Sequence, residues 1–208
     1  MTIYDITRTV TPEIAVWPGD QHYSVKLSAS LEQGDSVNLT TLVLSPHTGS
    51  HADAAFHTEH GGTHPAAEKL DAFLGIARVV TVSKRDGALL PSDFPEGSLE
   101  GVQRLLIHSH VSDSPDERWP DVFPYLSEIL IQQFAEQGGL LIGLDSPSVD
   151  AFDSKALHCH HALRRCGLFN LETLCLAGVP DGDYELIALP LKLDLACASP
   201  VRAILRTL

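Results

Sequence analysis

The sequence has few cysteines and few positive charges. Only four cysteines occur, all in the last quarter of the 208 residues and none in a C-x-x-C pair: Cys159, Cys166, Cys175 and Cys197. This distribution disfavours a disulfide framework and an all-thiolate zinc site. Lys and Arg total 14 against 27 Asp and Glu, which gives a formal net charge of −13. Such an acidic protein is not expected to bind nucleic acid or an anionic membrane surface.

Long apolar segments are also missing. No apolar run approaches the ~20 residues that span a bilayer, and residues 1–5 show neither the basic nor the apolar part of an export signal. The sequence therefore predicts a cytoplasmic protein without a membrane anchor. Hydrophobic residues make up 44% of the 208, which is enough for one domain with a buried core.

Short segments with strand character, separated by turn residues, recur along the chain. The candidate strands are 23–27, 37–44, 77–83, 104–108, 140–144, 184–189 and 201–205. Their alternation with two predicted helices favours an α/β fold, a single mixed α/β domain over residues 1–208 that is rich in β-strands.

The two predicted helices differ in the strength of their pattern. A helix over 126–137, followed by Gly138 as a C-terminal glycine, is indicated by helically spaced apolar residues: Leu126, Ile129, Leu130 and Phe134. A second helix is predicted over 154–165, with Ser154 as its N-cap and Gly167 beyond its end.

Residues 47–57 concentrate groups that bind metal ions. They contain three histidines and an aspartate: His47, His51, Asp53 and His57. Imidazole nitrogen and carboxylate oxygen form a ligand set suited to zinc and related metals. A helix is not expected here because Pro46 precedes the segment and Gly49 interrupts it, and the H-E-x-x-H metalloprotease motif is absent.

The spacing of these groups requires a turn. Six extended steps from His47 to Asp53 would span ~20 Å, too far for a shared ion. Residues 48–50, Thr-Gly-Ser, supply turn chemistry at the required place. We therefore expect His51 and Asp53 to share one face beyond the turn, with His47 folded back over them. The alternative is an ordinary hydrogen-bonded loop without a metal.

A second candidate cluster lies in residues 157–161, Leu-His-Cys-His-His, and includes His160. Glu172 follows as a lone carboxylate in an apolar segment, and a buried carboxylate is costly unless it is paired or bound to metal. An ion pair of Glu172 with Arg164 or Arg165 is the structural alternative. The motif at residues 47–57 and the group of His160 and Glu172 each need further ligands for a metal site, and each could supply them to the other.

Together these motifs resemble the bacterial kynurenine formamidases, or arylformamidases, within the cyclase-like family of metal-dependent amide hydrolases. The resemblance runs nearly end to end. It is carried by Trp17-Pro18-Gly19-Asp20, His-Thr-Gly-x-His-x-Asp-x-x-x-His at 47–57, Gly143-x-Asp145-x-Pro147-Ser148, His160-His161-Ala162, Leu171-Glu172, Val179-Pro180-x-Gly182-Asp183-Tyr184-Glu185 and Ala198-Ser199-Pro200-Val201-Arg202-Ala203. It implies a cyclase-like fold of the swivelling β/β/α type and a homodimer.

The resemblance also implies a site with two zinc ions per subunit. His47 and His51 would bind one ion and His160 the other, while Asp53 and Glu172 would bridge both. Manganese or cobalt would suit the same donor atoms.

By the same resemblance, the reaction would be hydrolysis of N-formyl-L-kynurenine to L-kynurenine and formate in tryptophan degradation. His57 would act as general acid and base, and Trp17 would contact the aromatic substrate, although a lone tryptophan also packs within its own domain. The alternatives are a related hydrolase of another small or cyclic amide, such as isatin, and a structural metal-binding module without activity. No G-x-S-x-G motif supports a serine nucleophile.

The chain departs from the family pattern at a few positions. Ala52 replaces a bulkier aliphatic residue, Ala54-Ala55 lacks a common proline, and Cys197 stands where an acidic residue is usual. None of these changes removes an implied ligand.

Overall fold

The computed structural model describes all 208 residues and contains thirteen β-strands and two α-helices. The strands are β1 (Ile3–Asp5), β2 (Ser24–Ala29), β3 (Leu39–Val43), β4 (His51–Asp53), β5 (Leu74–Thr81), β6 (Gly87–Leu89), β7 (Arg104–His108), β8 (Pro124–Leu126), β9 (Leu141–Leu144), β10 (Phe169–Glu172), β11 (Gly182–Ile187), β12 (Ala198–Pro200) and β13 (Ile204–Thr207). The helices are α1 (Glu128–Glu136) and α2 (His158–Arg165). Neither helix could cross a membrane.

Nine strands form one mixed sheet in the order β1-β13-β11-β5-β7-β9-β10-β4-β12. The central strands β5, β7, β9 and β10 run parallel, and the flanking strands pair antiparallel. Parallel neighbours require crossover connections, and here α1 lies in the connection from β7 to β9 and α2 in that from β9 to β10. The prediction of a single mixed α/β architecture rich in strands is thus confirmed for the fold.

The central sheet is buried on both faces. Val79 and Leu106 belong to one hydrophobic cluster, whereas their neighbours Val80, Leu105 and Ile107 belong to the other. Successive side chains of a strand point to opposite faces, so the two clusters lie on the two sides of the sheet. The second cluster includes the apolar faces of α1 and α2.

Helix α1 is shorter than the predicted 126–137. Leu126 ends strand β8, and the Ser127 hydroxyl caps the helix by accepting a hydrogen bond from Leu130 N. Ile129 is exposed and Ile131 is buried, so the buried stripe is offset from the predicted one. Gly138, at φ 86°, terminates the helix as expected.

Helix α2 begins at His158 instead of Ser154. The Ser154 hydroxyl accepts a hydrogen bond from Leu157 N, so it caps a turn before the helix. Leu157 has φ 47°, which interrupts the helical path. The carboxylate of Asp150 accepts hydrogen bonds from the backbone N–H groups of Cys159 and His160 and so caps the observed first turn.

The predicted strands agree with the structure best where they are buried. The segment 104–108 coincides with β7, but the predicted 201–205 is wrong in its first half. There the N–H of Val201 donates to Ser50 O and that of Ala203 to Thr7 Oγ1, so these residues connect β12 to β13 without joining the ladder. Six strands of three or four residues were not predicted because they are too short to show a period.

Two aspartates of the motifs, Asp145 and Asp183, have structural roles. Asp145, at the end of β9, accepts hydrogen bonds from the backbone N–H and hydroxyl groups of Ser109 and Ser112. Asp183 pairs with Arg78. Neither aspartate contacts the histidine cluster described next.

Candidate metal centre and cavity

The turn at residues 46–50 brings the first histidine motif together. Strand β4 carries His51 and Asp53 on the same face, both 2% exposed. The chain before β4 folds back, which places His47 Nδ1 3.3 Å from Asp53 Oδ1. The spatial arrangement therefore matches the predicted turn.

Strand pairing adds Glu172 to this group. Strand β10 runs antiparallel to β4 and places Glu172 opposite His51, with Glu172 Oε2 3.4 Å from His51 Nε2. Opposed residues of a strand pair point to the same face. Register alone therefore brings together two polar groups that are 121 residues apart in the chain.

The first turn of α2 supplies His160. Its Nε2 lies 3.5 Å from Asp53 Oδ2 and 3.6 Å from Glu172 Oε1. On the opposite edge of the ring, Nδ1 lies 2.7 Å from Asp150 Oδ2. A carboxylate accepts, so Nδ1 carries the proton and Nε2 faces Asp53 and Glu172.

The ring of His51 is held in the same way, and its second nitrogen also faces the carboxylates. Its Nδ1 donates to Gly49 O at 2.8 Å, because a carbonyl can only accept. In the neutral ring, Nε2 is then a lone pair that faces the carboxylates of Asp53 and Glu172. His51 Nε2 and Asp53 Oδ1 are buried without a hydrogen-bond partner, and buried polar atoms rarely remain unpaired. A metal ion would satisfy these convergent electron pairs.

The carboxylates receive further support from behind. Asn170 Nδ2 donates to Asp53 Oδ2 at 2.8 Å and to Glu172 Oε1 at 3.3 Å. Arg164 donates to the backbone oxygen of Asp53 and to Asn170 Oδ1, and Arg165 pairs with Glu128 outside the site. The alternative ion pair of Glu172 with Arg164 or Arg165 is therefore wrong.

The charges of the cluster shift its titration. Burial lowers the pKa of His160, but hydrogen bonds to Asp150 and Asp53 outweigh it and raise that pKa to about 10. Burial likewise lowers the pKa of His47, while Asp53 and Cys197 raise it to about 10. Burial raises the pKa of Asp53, but His160 and His47 bring it well below the usual range. Without a metal ion, protons held by these two rings therefore offset the negative charge of the carboxylates that face them.

His57 lies on the outer side of the cluster. It ends a short 3-10 turn, Ala55–His57, and is exposed. Its ring centroid is 4.4 Å from that of His47 and 5.5 Å from that of His160. All predicted site histidines therefore meet at one place, with His57 the most accessible of them.

Cys197 also reaches this side of the cluster. Its Sγ lies 3.3 Å from His47 Nε2, and hydrogen bonds with His47 and His57 lower the pKa of the thiol to about 6. Sequence reasoning noted Cys197 only as a departure, because the pairing of β12 with β4 that brings it here is not visible in the sequence. Cys159, by contrast, is buried and donates to Leu126 O, and burial raises the pKa of its thiol.

A cavity of about 300 Å³ opens onto the cluster. Its wall includes Trp17 and Trp119, whose rings meet edge to face at 5.4 Å between centroids. The ring centroid of Phe152 lies 5.1 Å from that of Trp17. Trp17 therefore both packs within the domain and lines the cavity. Trp119 and Phe152 were missed, since each lies in a polar loop without an informative pattern.

Comparison with known proteins places these features in a family. The Cyclase family model matches residues 4–151. A kynurenine formamidase of Salinibacter ruber is 46% identical, with 99% of this chain and 98% of that protein covered. A kynurenine formamidase of Bacillus cytotoxicus is 42% identical, with 98% and 97% covered.

Solved structures show the same fold. A "predicted metal-dependent hydrolase" from Bacillus stearothermophilus superposes with a TM-score of 0.83 at 21% identity, covering 98% of this chain and 97% of that one. Isatin hydrolase A from Labrenzia aggregata gives 0.80 at 22% identity, covering 98% and 93%. The cluster described above is able to bind a metal ion. The chain belongs to the cyclase family, and its relatives named kynurenine formamidase match it over nearly their whole length.

Proposed function

We propose that this protein is a metal-dependent arylformamidase that hydrolyses N-formyl-L-kynurenine to L-kynurenine and formate, a step of tryptophan degradation. Relatives that bear this name match the chain end to end. The observation that carries the proposal is the set of unpaired ligand atoms, His51 Nε2 and Asp53 Oδ1, beside a cavity walled by two tryptophans. An aryl amide fits such a cavity, and hydrolysis fits such a ligand set.

The donor set suits two zinc ions. His47 and His51 would hold one ion, His160 the other, and Asp53 and Glu172 both. Two carboxylates and three neutral histidines would leave the loaded site with net positive charge. When bound, the metal lowers the pKa of bound water towards ~7 and polarises the amide carbonyl. Manganese or cobalt would suit the same donors.

The protein's own groups would move the proton and orient the substrate. His57 is exposed to the cavity beside the cluster, so it can accept the proton of the attacking water and return it to the departing aryl nitrogen. Trp17 would pack against the aryl ring, and Trp119 would hold the Trp17 indole. Asp150 and the Gly49 carbonyl would keep His160 and His51 in the tautomer that presents Nε2.

The test is turnover of N-formyl-L-kynurenine by the zinc-loaded protein and by the chelated protein, together with the variant His57→Ala. We expect chelator-sensitive formate release, and a loss of at least ~10² in kcat for His57→Ala with unchanged metal content. His60→Ala, a nearby exposed histidine outside the cavity, is the matched control.

Three outcomes would contradict the proposal in different ways. Normal turnover by His57→Ala would remove His57 from the chemistry. Metal binding without any turnover would favour the structural module. Hydrolysis of isatin but not of the formamide would shift the function to cyclic amides, as in the isatin hydrolases that share the fold.

We further propose a cytoplasmic homodimer. All four cysteines are free thiols, as in a reducing compartment. The hairpin of β2 and β3 exposes apolar side chains that a second subunit could cover: Val25, Leu27, Leu39, Leu42 and Val43. Sedimentation velocity would show a dimer that the change Leu27→Asp weakens, and a monomeric wild type would refute it.

A further inference from the structure

The charged groups that line the cavity are all acidic or imidazole. Besides the histidines of the cluster, the lining includes two carboxylates, Glu172 and Asp20, and no lysine or arginine. Glu172 faces His51 and His160. Asp20 is therefore the one carboxylate of the cavity that the proposed metal site does not use.

Asp20 and the aromatic wall come from the same turn. The N–H of Asp20 donates to Trp17 O at 2.9 Å, and Gly19 adopts φ 92° between them. This left-handed conformation favours glycine. The turn therefore fixes the backbones of Asp20 and Trp17 relative to each other, and both residues line the cavity.

The Asp20 carboxylate lacks a cationic partner. Oδ1 accepts a hydrogen bond from Gln21 N at 2.7 Å, and no lysine, arginine or histidine pairs with Asp20. The half-buried side chain lines the cavity, so its carboxylate can accept hydrogen bonds from an ammonium group placed there, and hydrogen bonds between charged partners are the strong ones.

The cations that could bind the opposite end of an amino acid lie elsewhere. Arg202 pairs with Asp5 on the surface, and Arg164 is occupied by the Asp53 backbone and Asn170. Neither these arginines nor Lys192 lines the cavity. Away from the histidine cluster, the cavity therefore offers a carboxylate to a substrate ammonium group but no lysine or arginine to a substrate carboxylate.

We propose that Asp20 binds the primary ammonium group of the substrate's amino-acid tail and thereby selects aryl formamides that carry an amine. The inference rests on the proposed function and names the substrate group that this function leaves unassigned. Binding of the ammonium group, with the aryl ring packed against Trp17, would orient the formamide towards the metal cluster. Loss of the contact between Asp20 and the ammonium group would chiefly raise KM.

Three aryl formamides separate this role from a general one. N-formyl-L-kynurenine carries the ammonium group, N-formylanthranilate carries only a carboxylate, and formanilide carries neither. We expect Asp20→Asn, which keeps the shape of the side chain, to lower kcat/KM for N-formyl-L-kynurenine by about 10- to 100-fold. Formanilide should be unaffected, and N-formylanthranilate should be unaffected or improved. Glu13→Gln, an exposed acid outside the cavity, is the control.

Two kinetic outcomes would overturn the inference. An equal loss with all three substrates would show that Asp20 only maintains the turn, and no loss with any of them would show that it does not contact the tail. Thermal unfolding of Asp20→Asn would identify a folding defect independently of activity.

A binding measurement decides the inference even if the proposed function fails. Calorimetric titration compares L-kynurenine with 2-aminoacetophenone, which has the same aryl ketone without the amino-acid tail. We expect the wild type to bind L-kynurenine more tightly and Asp20→Asn to abolish the difference. A wild type that binds both equally overturns the role of Asp20. A wild type that binds L-kynurenine selectively but hydrolyses no formamide refutes the proposed function alone.

Discussion

The inner and outer sides of the histidine cluster are built differently. On the inner side, His51 and His160 are buried, and each ring is fixed at Nδ1 by a backbone carbonyl or a carboxylate. On the outer side, His47 is partly exposed, His57 is exposed, and their shared neighbour is the Cys197 thiol. Buried, fixed rings suit metal ligands, and the exposed ring of His57 suits proton transfer, while the half-buried His47 lies between them as the outermost proposed ligand. The same residue type thus has two tasks, and local surroundings separate them.

The difference follows from the elements that carry the residues. The inner groups lie on β4, β10 and the first turn of α2, which are interior elements held by backbone ladders and by Asp150. The outer groups lie on a turn and a 3-10 segment at the cavity. Interior elements hold geometry more strictly than loops do.

The strongest way to break the inner side is Glu172→Gln. The change keeps the shape but removes a charge that faces both His51 and His160. We expect metal retention after dialysis and turnover both to fall to background. Elemental analysis measures the first and formate release the second. The control Glu128→Gln changes a carboxylate at the start of α1 and should keep both its metal and its turnover. A Glu172→Gln variant that keeps its full complement of metal would show that Glu172 is not a ligand.

A weaker change acts on the inner side without touching its ligand atoms. Asp150→Asn leaves the cap of α2 able to accept one hydrogen bond but weakens the bond that orients His160. Loss of such an outer partner typically lowers metal affinity by about 10- to 100-fold. Competition with a chromophoric chelator measures this shift, and Asp153→Asn, an exposed neighbour, should leave affinity unchanged. Equal metal affinity in Asp150→Asn and Asp153→Asn would mean that His160 binds metal without a carboxylate at Nδ1.

The sequence could predict the parts of the site that are local. The turn before β4 follows from Gly49 and its neighbours, and the isolated carboxylate of Glu172 signals a buried partner. The central strand β7 was predicted from a short segment with strand character between turn residues, and the structure buries its three apolar residues. Each of these signals spans only a few consecutive residues.

The remaining features depend on pairing between distant segments. Asn170 and Cys197 reach the cluster because β10 and β12 flank β4, and strands of three or four residues show no period in the sequence. Asp150 and Trp119 lie in loops whose positions are set by the sheet. The sequence therefore indicates which residue types can bind metal, while strand register decides which side chains support them.

The smallest expected effect is the change in stability of the metal-free protein with pH, to which the two sides of the cluster contribute separately. The pKa of His160 and that of His47 are raised to about 10, from a usual value near ~6.5. The folded metal-free protein then binds these protons more tightly than the unfolded chain. The resulting stability is complete below pH ~6.5 and is lost as pH rises towards about 10.

We therefore expect the unfolding temperature of the chelated protein to fall by several degrees across this range, and that of the zinc-loaded protein to fall less, because metal replaces the protons. His47→Gln should reduce the fall in the chelated protein without removing it, since His160 on the inner side still titrates. Differential scanning calorimetry at matched ionic strength measures both slopes. If His47→Gln removed the whole dependence, the outer histidine would carry the electrostatic coupling, and the contrast between a fixed inner side and an adaptable outer side would fail.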